Sequence, residues 1–170
     1  MPVLVLTDTE IGERLVLSES AAILVYLAER QGQLLPAAGS ARARVFEQLF
    51  FHASAVSPSF GNAGFFTKLA AEPQPLAQQR FCNEAERVTR LLDGLLARRT
   101  YVAGDDYSIA DIVHFGWFWR RAFAGVGLDA YPNLSRWYDI VEQRPAVQRA
   151  IARINAAAAA EAARSIAASA

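Results

Sequence analysis

Downstream of Pro36, apolar residues recur at three- and four-residue spacing almost to the end of the chain, and the interruptions fall at prolines. That period turns one face of an α-helix toward a core, so the larger part of this chain has to be helical. The first stretch, about 41–71, places Val45, Phe46, Leu49, Phe50 and Ala53 together before Pro58-Ser59-Phe60-Gly61 kinks or interrupts it. The second, about 76–99, spaces Phe81, Ala85, Val88, Leu92 and Leu95 four and three apart, with Arg80, Glu84 and Arg87 on another face. The third opens at Tyr107-Ser108-Ile109-Ala110-Asp111-Ile112, where Ser108 and Asp111 can cap each other's amides and Tyr107 can staple to Ile112. The last runs from Asn133 and is divided by Pro145, with Trp137, Ile140 and Val141 before it and Val147, Ile151 and Ile154 after it. Its alanine-rich end, 156–170, has little to bury and is expected to fray or lie along the surface.

The first 40 residues read differently. Val3-Leu4-Val5-Leu6 and Arg14-Leu15-Val16-Leu17 are β-prone runs separated by a polar, turn-forming stretch, which predicts a hairpin. Ser18-Glu19-Ser20 then precedes Ala21 to Arg30, in which Ile23, Leu24, Leu27 and Ala28 share a face and Gly32 follows the last turn. That predicts a capped helix. From Leu34-Leu35-Pro36 to Ser40 the pattern breaks into a linker.

Composition narrows the partners. With 170 residues, 53% of them apolar, the chain can bury one good core plus a fragment rather than two complete domains. Basic and acidic residues balance at 17 each, which leaves no broad basic face for phosphates or anionic lipid. Nucleic acid and membrane are therefore not expected as partners. No apolar run approaches the roughly 20 residues of a bilayer span, and the first residues lack a basic leader, so a soluble, cytoplasmic protein is expected. The single cysteine, Cys82, excludes an internal disulfide, and with His52 and His114 it supplies too few ligands for a dedicated zinc site.

The order of hairpin, capped helix, proline-containing linker and helical domain resembles the latter part of a glutathione S-transferase. Pro2-Val3-Leu4-Val5 resembles the segment in which a cis-proline opens the third strand of that family's thioredoxin-like domain. Leu17-Ser18-Glu19-Ser20-Ala21-Ala22-Ile23-Leu24 resembles its glutathione-binding acid-serine turn. Tyr101 to Asp111 is similar to the capping box and staple of its C-terminal domain. Ser57 to Ala63 and Arg144 to Arg149 look like the bacterial nu-class branch, whose members reduce disulfides with glutathione. The resemblance implies a mostly α fold: a partial thioredoxin-like domain over 1–35 and an all-helical C-terminal domain over 36–170. A complete member would precede Pro2 with strand, helix, strand and helix, the first of which carries the residue facing the glutathione sulfur. An N-terminally truncated member is the expectation, and the catalytic residue stays unassigned.

By the same resemblance glutathione is the co-substrate, and the second substrate is a small electrophile or a disulfide. A homodimer is the implied assembly. Glu19 would pair with the γ-glutamyl ammonium of glutathione, and the amide and hydroxyl of Ser20 would donate to its carboxylate. The helix dipole assists such an anion by about 0.3–1 kcal/mol. Met1 would offer its backbone to the cysteinyl part, and Arg80 would reach the site of the partner subunit. Phe60, Phe65, Phe66 and Trp117 would line the second-substrate pocket. Each feature also has a plain reading from the residues alone. Ser18-Glu19-Ser20 is then only a helix cap, Arg80 a solvated arginine beside Glu84, and the aromatics, Cys82 and His114 packed core or surface. A further alternative is a non-catalytic helical interaction module.

Overall fold

The computed structural model describes residues 2–7 and 14–168, with side chains as far as 165. β1 (Val3–Thr7) and β2 (Arg14–Ser18) pair antiparallel, with Val3 opposite Ser18, Val5 opposite Val16 and Thr7 opposite Arg14. Alternation along both strands turns Leu4, Leu6, Leu15 and Leu17 to one partly covered face, while Val3, Val5 and Val16 remain at least half exposed on the other. The stretch between the strands, 8–13, and Met1 lie outside the described residues.

α1 (Ser20–Gln31) follows, and Gly32 closes it in the left-handed conformation at φ 63°. The Gly32 amide bonds the Glu29 carbonyl and the Gln33 amide bonds that of Ala28, both at 3.2 Å, so the last carbonyls are satisfied. The start of this helix departs from expectation: no side chain caps it. Residues 32–38 are irregular and held at both ends. The Ile109 amide donates to the Leu34 carbonyl at 3.0 Å, and Arg42 donates to the Pro36 carbonyl at 3.1 Å.

The stretch expected over 41–71 runs as α2 (Gly39–Phe51), a π turn over His52–Val56, α3 (Ser57–Gly64) and a second π turn over Phe65–Leu69. The interruption anticipated at Pro58 takes this specific form. Proline has no amide and its ring crowds the carbonyl four residues back, and a wider turn before it relieves both problems; the Ser57 amide bonds His52, five residues back.

α4 (Pro75–Leu96), α5 (Ile109–Trp119), α6 (Pro132–Glu142) and α7 (Pro145–Ala168) complete the domain. α5 runs through its centre, with α1, α2 and α6 packed around it and α4 against α3 and α6. Trp137, Phe60 and Phe118 are fully buried at the junction, their rings meeting edge to face at 5.2 and 5.9 Å. The far part of α7, from Ala152 to Ser165, is exposed along its length. It buries little there, as its composition predicts.

Candidate functional site

The chain enters α1 under constraint. Glu19 has φ 70° and ψ 118°, a backbone region that L-residues other than glycine avoid, and its carboxylate makes no capping bond. The first amide bonded within the helix is that of Ile23, which donates to the Glu19 carbonyl at 2.9 Å. The amides of Ser20, Ala21 and Ala22 therefore have no intrahelical acceptor, as at any helix start. Glu19 and Ser20 are both exposed, so an acceptor-bearing ligand has access to them.

Ser20 opens onto a cavity of about 470 Å³ between the β1–α1 segment and the helical domain. Pro2 and Leu24 line the near side; His52 and Ser57, at the two ends of the π turn, and Trp117 and Arg120, at the end of α5, line the far side. The floor carries an unusual polar cluster. His52 and His114 meet edge to face with ring centroids 5.5 Å apart, and both are buried. His52 Nδ1, both ring nitrogens of His114 and the side-chain oxygen of Gln48 are sealed from solvent without a hydrogen-bond partner. Burial lowers the pKa of His52 to about 4. Burial first, and then the neighbouring His52, lower that of His114 to about 3. Both rings are neutral at pH 7.

The residues anticipated from sequence divide between locations. Glu19, Ser20 and Trp117 gather at this cavity or its rim. Phe60 stands behind Trp117, with ring centroids 6.0 Å apart, but it is fully buried and has no surface to offer a ligand. It supports the indole rather than lining the pocket. Phe65 and Phe66 sit at the far end of the broken helix, where Phe66 stacks on Phe81 of α4 at 5.5 Å. Arg80 lies in a different cavity, of about 560 Å³, between α3 and α4. The pairing of Arg80 with Glu84 is replaced: Arg87 takes both oxygens of Glu84, at 2.6 and 2.8 Å, which lowers the pKa of that carboxyl. Met1 lies outside the described residues. Cys82 is half-buried, 3.7 Å from the Thr67 hydroxyl. Among the described residues no group of three His, Cys, Asp or Glu is gathered for a metal, and no helix is long and apolar enough to cross a membrane.

Sequence reasoning missed His52, Ser57 and Arg120 as cavity residues. A signal for His52 was present: it interrupts the apolar stripe Val45, Leu49, Val56 at the correct helical spacing.

A sequence-family profile, the glutathione S-transferase C-terminal domain, matches residues 55–145. The disulfide-bond oxidoreductase YfcG of Escherichia coli is 34% identical over 142 residues, covering 82% of this chain and 65% of the relative. The disulfide-bond oxidoreductase YghU of the same organism is 38% identical over 138 residues, covering 77% and 48%. The chain thus spans about half to two thirds of the length of these curated relatives. Among solved structures, a glutathione transferase family member from Pseudomonas fluorescens with two glutathione bound superposes with a TM-score of 0.81 at 35% identity, covering 88% of this chain and 69% of that one. The glutathione transferase YghU from Streptococcus pneumoniae, complexed with glutathione, gives 0.79 at 36% identity, covering 88% and 59%.

Proposed function

This chain belongs to the glutathione S-transferase family, and from that premise we propose that it holds the γ-glutamyl end of glutathione at Glu19 and Ser20. A small second substrate then sits against Trp117. The observation that carries the reading is the strained, uncapped start of α1. Glu19 pays for an unfavourable backbone conformation without capping its own helix, and this frees both its carboxylate and the first amides for an incoming zwitterion. The Ser20 hydroxyl and amide would receive the ligand's carboxylate, and Glu19 its ammonium. Trp117, braced by Phe60, offers an apolar face across the cavity.

What these residues supply is binding and orientation. Holding thiol and electrophile, or thiol and disulfide, in contact converts a two-body encounter into a reaction within one complex. The chemistry we assign is conjugation to glutathione or glutathione-dependent disulfide reduction, and the relatives named as disulfide-bond oxidoreductases support the second. The working form is a cytoplasmic homodimer in which the partner's Arg80 approaches the bound glutathione. Arg80 is exposed on α4 and away from Ser20 within one chain, as that arrangement requires. Retention of the 170-residue chain on glutathione-agarose tests the grip. The wild-type chain is expected to be retained and Ser20→Ala to be lost; equal failure of both would sink the binding claim.

A further inference from the structure

The far wall of the cavity carries hydrogen-bond donors that no described residue uses. Nδ1 of His52 is sealed off without a partner, Nε2 is not, and the residue lines the cavity, from which we infer that Nε2 is the nitrogen turned toward it. A buried ring nitrogen without a partner costs less as a bare lone pair than as an N–H, so the proton belongs on Nε2. His52 is thereby a neutral donor, 7% exposed and held by packing against His114. The Ser57 hydroxyl, which lines the same cavity, makes no hydrogen bond among the described residues. Arg120 is exposed at the end of α5 with its guanidinium 5.6 Å from the Phe123 ring, and no carboxylate pairs with it among the described residues. Among the described residues no Asp or Glu lines the cavity itself, Glu19 standing at its rim beside Ser20, and the remaining walls are largely Leu24, Ile112, Val113 and Trp117.

A far wall with three donors unused by the described residues, one of them charged, and with the rim acid Glu19 on the opposite, Ser20 side, is complementary to oxygen acceptors bearing negative charge. We propose that His52, Ser57 and Arg120 form a subsite for the carboxylate of an otherwise apolar second substrate. This rests on reading the cavity as the seat of that substrate, and it adds the chemical class. The apolar body lies against Trp117 and Ile112, while the carboxylate accepts from Nε2 of His52, the Ser57 hydroxyl and the Arg120 guanidinium. His52 and Arg120 are specificity-determining here, and neither takes part in bond making.

The test is calorimetric titration of the full chain with naphthalene-1-acetate and with naphthalene-1-acetamide, which share a body and differ in charge. The wild-type chain is expected to bind the acetate about tenfold more tightly, in keeping with a charged hydrogen-bonded contact. Arg120→Gln, an exposed substitution that leaves the core intact, and His52→Gln should each bring the two ligands within about threefold. Equal binding of both ligands, binding of neither, or an undiminished preference in Arg120→Gln overturns the proposal. If His52→Gln does not fold, Arg120→Gln decides alone. Glutathione-agarose retention of the same samples separates this from the glutathione reading. A chain retained on the resin yet indifferent to the carboxylate loses only the subsite, and one that prefers the acetate without being retained loses only the glutathione grip.

Discussion

The indole Nε1 of Trp137 donates a 2.9 Å hydrogen bond to Oδ1 of Asp111, joining α6 to the first turn of α5 inside the core. The same carboxylate accepts from the amide of Val102 at 3.0 Å, and from the amide and hydroxyl of Ser108 at 2.9 and 3.3 Å. Burial pushes the Asp111 carboxyl above its ordinary range and the four donors pull it back. One acid thus serves as capping-box residue, loop anchor and helix–helix contact.

Asp111→Asn should be among the most damaging substitutions in the domain. The amide keeps the shape but turns an N–H toward donors that need an acceptor. The expected loss is about 2–4 kcal/mol. Urea denaturation followed by circular dichroism measures it, and a loss under about 1 kcal/mol would show that the network is not holding α6 in place.

The neutral His52–His114 pair predicts acid sensitivity. In the folded chain their pKa values are about 4 and about 3, against 6.5 for the free side chain, so between those limits the unfolded state binds more protons. Stability therefore rises with pH through this window, is fully present above about 6.5, and is lost as pH falls toward 4. Two such groups give a limiting slope of about 2.7 kcal/mol per pH unit. His114→Gln should remove about half of the slope between pH 6 and 5. A wild-type chain whose stability is flat across that interval would contradict the buried neutral pair.

Two glycines in helices should respond oppositely to alanine. A Cβ at Gly64 would stand 2.1 to 2.6 Å from the Phe123 ring, and the cost is expected at about 1–3 kcal/mol. A Cβ at Gly94, on α4, meets nothing within 4 Å, and Gly94→Ala should gain about 0.5–1 kcal/mol through backbone entropy. Thermal melting of the two variants side by side checks the pair. Equal shifts would mean that the α3–Phe123 contact is looser than drawn.

Glu19→Gly separates stability from binding. Glycine tolerates φ 70°, so relief of strain should outweigh its entropy and stabilise the chain by about 1 kcal/mol, while retention on glutathione-agarose falls. A variant that melts lower and is retained as before would remove the reason given for the strain.

Much of the fold was legible in local spacing. The buried face of α4, the capping box at Ser108 and Asp111 and the glycine stop at Gly32 all follow from residues within a turn or two of one another. Local physics also accounts for the break near Pro58, and the wider π turn before it is the relief that proline's ring and missing amide call for, although the sequence pattern showed only a kink or interruption there. The site was only half legible. Ser-Glu-Ser before an apolar helix is a visible pattern, but its cap is open in the fold, and Glu19 takes its strained conformation there.

What sequence alone determined here is which residues become helix and which face each helix turns inward, because those follow from the 3.6-residue period and from caps within reach. Tertiary structure decided which distant pieces meet. Asp93 of α4 accepts the amides of Asn133 and Leu134, both at 2.9 Å, and so caps a helix 40 residues away whose own entry residue, Tyr131, supplies no cap. Ser20, His52 and Arg120 share a cavity for the same reason, though 100 residues separate the first from the last. Contacts of that range are selected by the burial of whole faces, and no local pattern encodes their partners.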